Sequence, residues 1–582
     1  MGRDKRTKAS FAFGVAVLVA LIWAVWTQVG GFEFIQLDDD KYVYNYASVA
    51  GGLSWANFKA VCRNLTQGGI WMPLTSLTYM FEISAFGSGP GPHHLMSVVW
   101  HSVNAILVFS FIYELTDRKS LFAAFVGAAL WAVHPQRCES VTWIASRKDL
   151  VFTFFTLLGL IAWRRGHAFL AYFLMFASCC SKPTAMVFPV LAFCVEKDAP
   201  LIFAKLKQAP FQTFKSYFIR YLPMVVLTVA TAILTVYSQT NCEGEGGRGL
   251  TEGYGPLPYR VLNAVVAIGL YFAQLVVPYG IHILYLLRIN AVPDCMWLGL
   301  AVVAVLTAGL LWAAVRRRGW SRLWLMALWF LASVGPTLGI VGCCGNHSRA
   351  DRFLYVPMIA VSVLAAWGLS EVKLRGWMRA AIVAALAGYA SAAFLNARTY
   401  RSDYALFRRA LDCDENHGIA LWHVATHEVR DPKTVDQALD RYRRLVAVAH
   451  DGNAAATLMY VLATRGRAED FPEIKFRGQV LIENPELDEG GMAVEALGMV
   501  ALREGDPVSA VRFLSAAVNA PKRKLPTDEA NVQLAMSYYN IADYRRARKL
   551  FRELVDSRNE RVRRHAQRSL QVLDERHPEE TP

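Results

Sequence analysis

Over roughly the first two thirds of the chain, apolar residues gather in runs of about 18–20, parted by short basic or aromatic-rich polar stretches. Runs of that length satisfy their own backbone as helices and predict a polytopic membrane protein. The first extends from about Phe11 to Trp26, behind Arg3, Lys5, Arg6 and Lys8. Those flanks suit an uncleaved signal-anchor whose basic end stays in the cytoplasm. Residues 30–92 then form a polar outer loop, long for a connector. Runs at 95–115, at 121–133 and up to Trp163 come next, and two short ones, 168–180 and 184–195, flank Lys182-Pro183 like shallow spans. After a basic stretch, a span at 221–238 leads to a glycine-rich outer loop, Asn241 to Gly255. Residues 259–294 read either as one crossing with a re-entrant piece at Pro278 or as two crossings. Runs at 296–315, 323–341, 353–369 and 378–395 complete about eleven to thirteen spans and leave the C-terminus outside.

From about residue 398 the pattern becomes that of a soluble helical domain. Gly498, Ala510 and Ala517 recur as Ala535, Ala547, Phe551 and Leu554, and earlier as Thr426, Ala438, Tyr442 and Leu445. Small residues at these offsets allow paired antiparallel helices to pack closely in repeats of about 34 residues, the tetratricopeptide pattern. The 37-residue step from Ala510 to Ala547 absorbs a Lys522-Arg523-Lys524 turn, and 455–485 is degenerate. The expected fold is therefore all-α, a membrane domain over 1–397 and an extracytoplasmic solenoid of about four repeats over 398–582.

Composition sharpens this picture. Of 582 residues, 54% are hydrophobic and the mean hydropathy is +0.27, too high for an ordinary soluble protein. The net charge of +14 sits largely at the ends of apolar runs, which fits the positive-inside rule better than a nucleic-acid surface. The ten cysteines show no metal-ligand spacing and leave the redox compartment open. High Ala and Arg content favours a bacterial inner membrane with a periplasmic C-terminus. An endoplasmic-reticulum membrane with a luminal C-terminus is the alternative, where the sequons at Asn64 and Asn346 are usable.

The topology puts four charged clusters on one face: Asp38-Asp39-Asp40, the stretch His134 to Asp149, Lys182, and Arg349 to Arg352. Charge at the hydrocarbon boundary is costly and tends to be functional. Basic side chains there suit the phosphate of an anionic lipid-linked donor, and a carboxylate suits removal of a proton from an attacking hydroxyl. Blander roles stand beside these. Asp351 with Arg352 is also a local ion pair, and Arg147-Lys148 also a snorkelling pair. Glu139 either orients Arg147 or helps to hold a metal, and His134 before Pro135 reads first as a helix-end hydrogen bonder. A divalent metal is left open.

The segments FEFIQLDDDKYVYN, GIWMPLTSLTY, GPHHLMSVVWHSVNA, AVHPQRCESVTWIASRKDL, SKPTAMVFPVL and RADRFLYVPMIA, in that order, resemble GT-C type membrane glycosyltransferases with C-terminal tetratricopeptide repeats. The eukaryotic examples are the transmembrane and tetratricopeptide-repeat O-mannosyltransferases. The resemblance implies inverting transfer of one sugar, with mannose the suggestion, from a polyprenyl-phosphate donor to a hydroxyl on a protein at the outer face. It puts the catalytic acids at Asp38 and Asp39, with Asp39 the first choice as base and Asp40 a less certain third. Arg147, Lys148, Lys182 and Arg352 become the donor-phosphate contacts, supported by His134, Glu139 and Asp351. The repeat domain would present an acceptor protein. Lys182-Pro183 stands where Lys-Glu is frequent, and Met72 where a polar residue is common. Two other functions are compatible with the pattern: a non-catalytic scaffold of an envelope or secretion complex, and a ligase or transporter of lipid-linked glycans.

Overall fold

The computed structural model of the chain is all-α apart from one pair of short strands among the described residues. It describes residues 2–197, 199, 202, 205, 208–242, 255–287, 295–316, 320–341, 347–449, 452–484, 488, 491–520 and 527–578. Most of the glycine-rich loop after Asn241, Asn346 of the second sequon, Arg317-Arg318 and the Lys522–Lys524 turn lie outside them. The chain divides into two compact units, Met1–Arg409 and Ala410–Pro582.

Among the described residues of the first unit, six helices are long and apolar enough to cross a membrane: Thr7–Gly31, Pro90–Leu115, Pro210–Thr240, Leu257–Val276, Met296–Ala313 and Gly376–Tyr400. The protein is a multi-pass membrane protein. The other expected spans form shorter or less apolar helices, including Leu121–Val133, Arg147–Arg164, Ala168–Cys179, Trp320–Val334 and Pro357–Glu371. Proline sets some of their limits: Leu121–Val133 stops just ahead of Pro135, and Ala168–Cys179 ahead of Pro183. The ambiguous stretch after residue 257 makes a single crossing, Leu257–Val276, as far as it is described. Pro278 lies beyond the helix end, and Tyr285–Leu286 then pairs antiparallel with His347–Arg349.

The long first loop is itself built from helices. Ser54 caps Trp55–Arg63 by accepting from the Asn57 N–H, and Pro73 opens Pro73–Phe86. Behind the loop, buried polar side chains fasten the helices to one another. His101 bridges the Tyr355 hydroxyl at 2.7 Å and the Ala132 carbonyl at 2.9 Å. The Asn104 amide donates to the Leu150 carbonyl and the Trp131 indole to the Tyr355 carbonyl, both at 2.9 Å. The unit extends past residue 397 because the first loop bonds to the segment after the last span: Glu33 N–H donates to the Arg401 carbonyl and Gln36 N–H to Asp403.

The second unit is a chain of antiparallel helices, each packed on the next, from Gly418–Glu428 to Glu560–Arg576. The small residues singled out by spacing lie at its crossings: Ala438, Ala510, Ala517, Ala535 and Ala547 are fully buried. A Cβ on Gly498 would come within 2.6 Å of Leu514, so only glycine permits that approach. The degenerate stretch forms Gly452–Arg465 and Phe471–Glu483, which pack in the same manner.

Candidate active site

The three adjacent acids have three different environments. Asp39 is fully buried. Its Oδ2 accepts the Ile35 N–H at 2.8 Å, and its Oδ1 accepts the Ala145 N–H at 2.8 Å. It thereby ties the first loop to the turn that launches Arg147–Arg164. Burial pushes its carboxyl up to about 7, against the pull of the two N–H donors. Asp38 keeps 28% of its side chain exposed, with Lys41 Nζ 3.4 Å away. Asp40 begins a π-helical turn, Asp40–Tyr44, and its buried Oδ1 has no partner among the described residues. Sequence resemblance ranks Asp39 first as the base. In the structure each Asp39 oxygen holds one backbone donor in the interior, whereas Asp38 is the more exposed of the two.

The cations sort just as sharply. Lys182 Nζ lies 2.5 Å from Asp149 Oδ1. Arg352 bonds Glu139 twice, through its guanidinium and through its backbone N–H at 2.9 Å. Its guanidinium also stands over Trp143 and Phe353. Glu139 therefore orients Arg352 and not Arg147. Arg147 is held in the interior, apart from that pair. It is fully buried, and its guanidinium bonds Glu82, Ser97 and the His93 carbonyl. Lys148 differs from all of these. Its ammonium sits 4.5 Å from the centre of the Tyr42 ring, and among the described residues it makes no hydrogen bond or ion pair. The charges of Asp38, Lys182, Arg352 and Asp149 all act on it. Four separate segments thus converge on one electrostatic cluster.

Sequence comparison bears on what such a cluster serves. No protein-family model matches the chain. The protein O-mannosyl-transferase Tmtc1 of Drosophila melanogaster is 29% identical over 189 residues, 30% of this chain and 21% of that protein. Human protein O-mannosyl-transferase TMTC1 is 30% identical over 141 residues, 23% of this chain and 16% of that protein. A protein O-mannosyl-transferase of Caenorhabditis elegans is 25% identical over 307 residues, 51% of this chain and 42% of that protein. The chain is similar in sequence to the TMTC-type protein O-mannosyltransferases. It spans less than half the length of these curated relatives.

The remaining candidates take supporting positions. His134 is a helix-end hydrogen bonder: its Nδ1 accepts the Gln136 N–H at 3.2 Å and its Nε2 faces the Leu275 carbonyl at 3.0 Å. Both ring nitrogens are occupied, so it has none left for a metal. Asp351 does not pair with Arg352. Its Oδ2 accepts from the Tyr285 hydroxyl at 3.2 Å, and burial pushes its carboxyl up to about 7. No group of three or more metal-ligating side chains occurs among the described residues.

Three contributors escaped sequence reasoning. Glu82 binds both Arg147 and His93 Nδ1, the latter at 2.5 Å, and is buried with them. A glutamate inside the apolar helix Pro73–Phe86 was its signal. Asp149 closes the charged stretch from His134 without a role of its own in the sequence. Tyr42 had no signal beyond lying near the acids. It fills the space between Lys148 and Gly68, donating from its hydroxyl to the Gly68 carbonyl at 3.1 Å.

Proposed function

We propose that the chain is a membrane glycosyltransferase that moves one sugar from a polyprenyl-phosphate donor to a hydroxyl on a protein, with mannose as the first sugar to test. The observation that carries this reading is a charge remainder. Asp149 neutralises Lys182 and Glu139 neutralises Arg352, which leaves Lys148 as the cluster's cation without a carboxylate and Asp38 as its partly exposed acid. One phosphate and one acceptor proton are the two things such a remainder suits. The names of the relatives supply the reaction class and the protein acceptor.

In this scheme the acceptor O–H gives its proton to Asp38 as its oxygen attacks C1 of the sugar. The C1–O bond to phosphate breaks on the opposite side, inverting the centre, and the lipid phosphate leaves with the bonding electrons. Its charge grows by one as it departs. Lys148 stabilises that growth, with Lys182 and Arg352 held at fixed places beside it by their carboxylates. Asp39 positions the loop that carries Asp38. The helical repeats present the acceptor protein, and the reaction face is extracytoplasmic.

The test uses purified full chain and its Asp38→Asn variant with a panel of radiolabelled polyprenyl-phosphate monosaccharides and a membrane-protein extract as acceptor. Asp38-dependent consumption of one donor is the expected result. Equal consumption by both forms, or none of any donor by the intact chain, would overturn the scheme.

A further inference from the structure

The helix that carries Lys148 and Asp149 also helps to wall a cavity at its other end. It has a volume of about 270 Å³ and is walled by Leu115, Leu325, Met326, Val363, Leu364 and Trp367. Its charged lining is Asp117, Arg164, Glu196, Lys197 and Arg322. Arg147–Arg164 opens beside the cluster at Lys148 and closes at the cavity with Arg164. Its 18 residues span about 27 Å, close to the thickness of the hydrocarbon core. Pro90–Leu115 runs the same way and ends at the cavity with Leu115. The cavity therefore belongs to the opposite membrane face. Basic clusters at Arg118-Lys119 and Arg164-Arg165 mark that face as the one retained in the cytoplasm.

Its charges leave a positive excess. Arg322 is paired with Asp117 at 2.5 Å, and Glu196 with Arg220, outside the lining, at 3.1 Å. Arg164 donates to the Val195 carbonyl at 2.7 Å and has no ion pair among the described residues. Lys197, which is exposed, has none there either. Two cations without an ion pair among the described residues thus border a cavity whose remaining wall is aliphatic and aromatic. A water-filled ion site has no use for that wall, whereas a lipid headgroup with the top of its acyl chains needs both surfaces. Basic recesses between helices at the cytoplasmic side suit phosphodiester headgroups in this way. We infer that this cavity holds the phosphodiester headgroup of an anionic membrane lipid, gripped by Arg164 and Lys197, at a site separate from the proposed donor site. The bound lipid would neutralise charge at the cytoplasmic end of the same helix that presents Lys148 and Asp149 at the other face.

The full chain, reconstituted in nanodiscs of mixed phosphatidylglycerol and phosphatidylcholine, tests this by native mass spectrometry of retained lipid. Wild type is expected to retain phosphatidylglycerol selectively. Lys197→Gln and Arg164→Gln should each weaken that retention about five-fold, and the double variant more. Lys197 is exposed and makes no ion pair among the described residues, so its variant keeps the test meaningful even if Arg164→Gln folds poorly. Retention unchanged in Lys197→Gln and in the double variant would overturn the inference. So would displacement of the lipid by millimolar inorganic phosphate, since the cavity would then be a free-anion site.

Discussion

Replacing Lys148 by methionine separates a ligand-binding cation from a structural one. Lys148 is nine-tenths buried, yet its ammonium rests on the Tyr42 ring and holds no carboxylate among the described residues. Methionine keeps most of the volume and the contact with the ring, and no buried anion loses its partner. Folding stability should therefore change by less than about 1 kcal/mol. Removal of one preorganised charge that stabilises a leaving group costs about 3 kcal/mol of transition-state energy, or roughly 150-fold in kcat/KM. Lys182→Met is the control. It strips Asp149 of its 2.5 Å partner, and the other Asp149 oxygen already lacks one among the described residues. Leaving that buried carboxylate alone should cost about 3–5 kcal/mol of stability. The assay pairs turnover of polyprenyl-phosphate sugar with thermal unfolding of the purified variants. Lys148→Met at more than a third of the wild-type rate would refute the reasoning, and so would a fall in Tm as large as that of Lys182→Met.

The geometry carries three further expected outcomes. Asp39→Asn should lose one of two buried backbone bonds and about 1–3 kcal/mol of stability, whereas Asp38→Asn should unfold like wild type and lose transfer, as thermal shift and donor turnover would show. Asp39 and Asp351 hold protons in the folded chain up to about pH 7, while an unfolded aspartate releases its proton near pH 4. Their contribution to stability is thus full below pH 4 and lost as pH rises toward 7, so the unfolding midpoint should fall across that window and fall less in Asp351→Asn. Gly68→Ala places a Cβ 2.6 Å from the Tyr42 ring at a residue with φ of +58°; it should cost about 1–2 kcal/mol, shift Tyr42 and raise the KM for donor through Lys148.

The sequence by itself determined the one-dimensional features of this protein. Apolar runs of bilayer length are local facts, and the helices appear in the order the runs predict. The twelve-residue step from Gly498 to Ala510 likewise encodes a close helix crossing, because a short turn folds Pro507–Val518 back on Met492–Arg503 and the small residues let the two helices approach. The His134-Pro135 pair reads correctly as a helix end for the same local reason. Only the tertiary structure decided which charge meets which. Glu139 lies between Arg137 and Arg147 in the helix-opening stretch but pairs with Arg352, 213 positions away. Arg147 and Lys148 are adjacent, yet successive residues at a helix start point in different directions. One meets Glu82 in the interior and the other meets Tyr42 and the site. The same holds for Asp38 and Asp39, of which one stays partly exposed and the other is buried on two backbone donors. An ion pair is settled by the packing of distant helices, and which charges remain unpaired is a property of the assembled set.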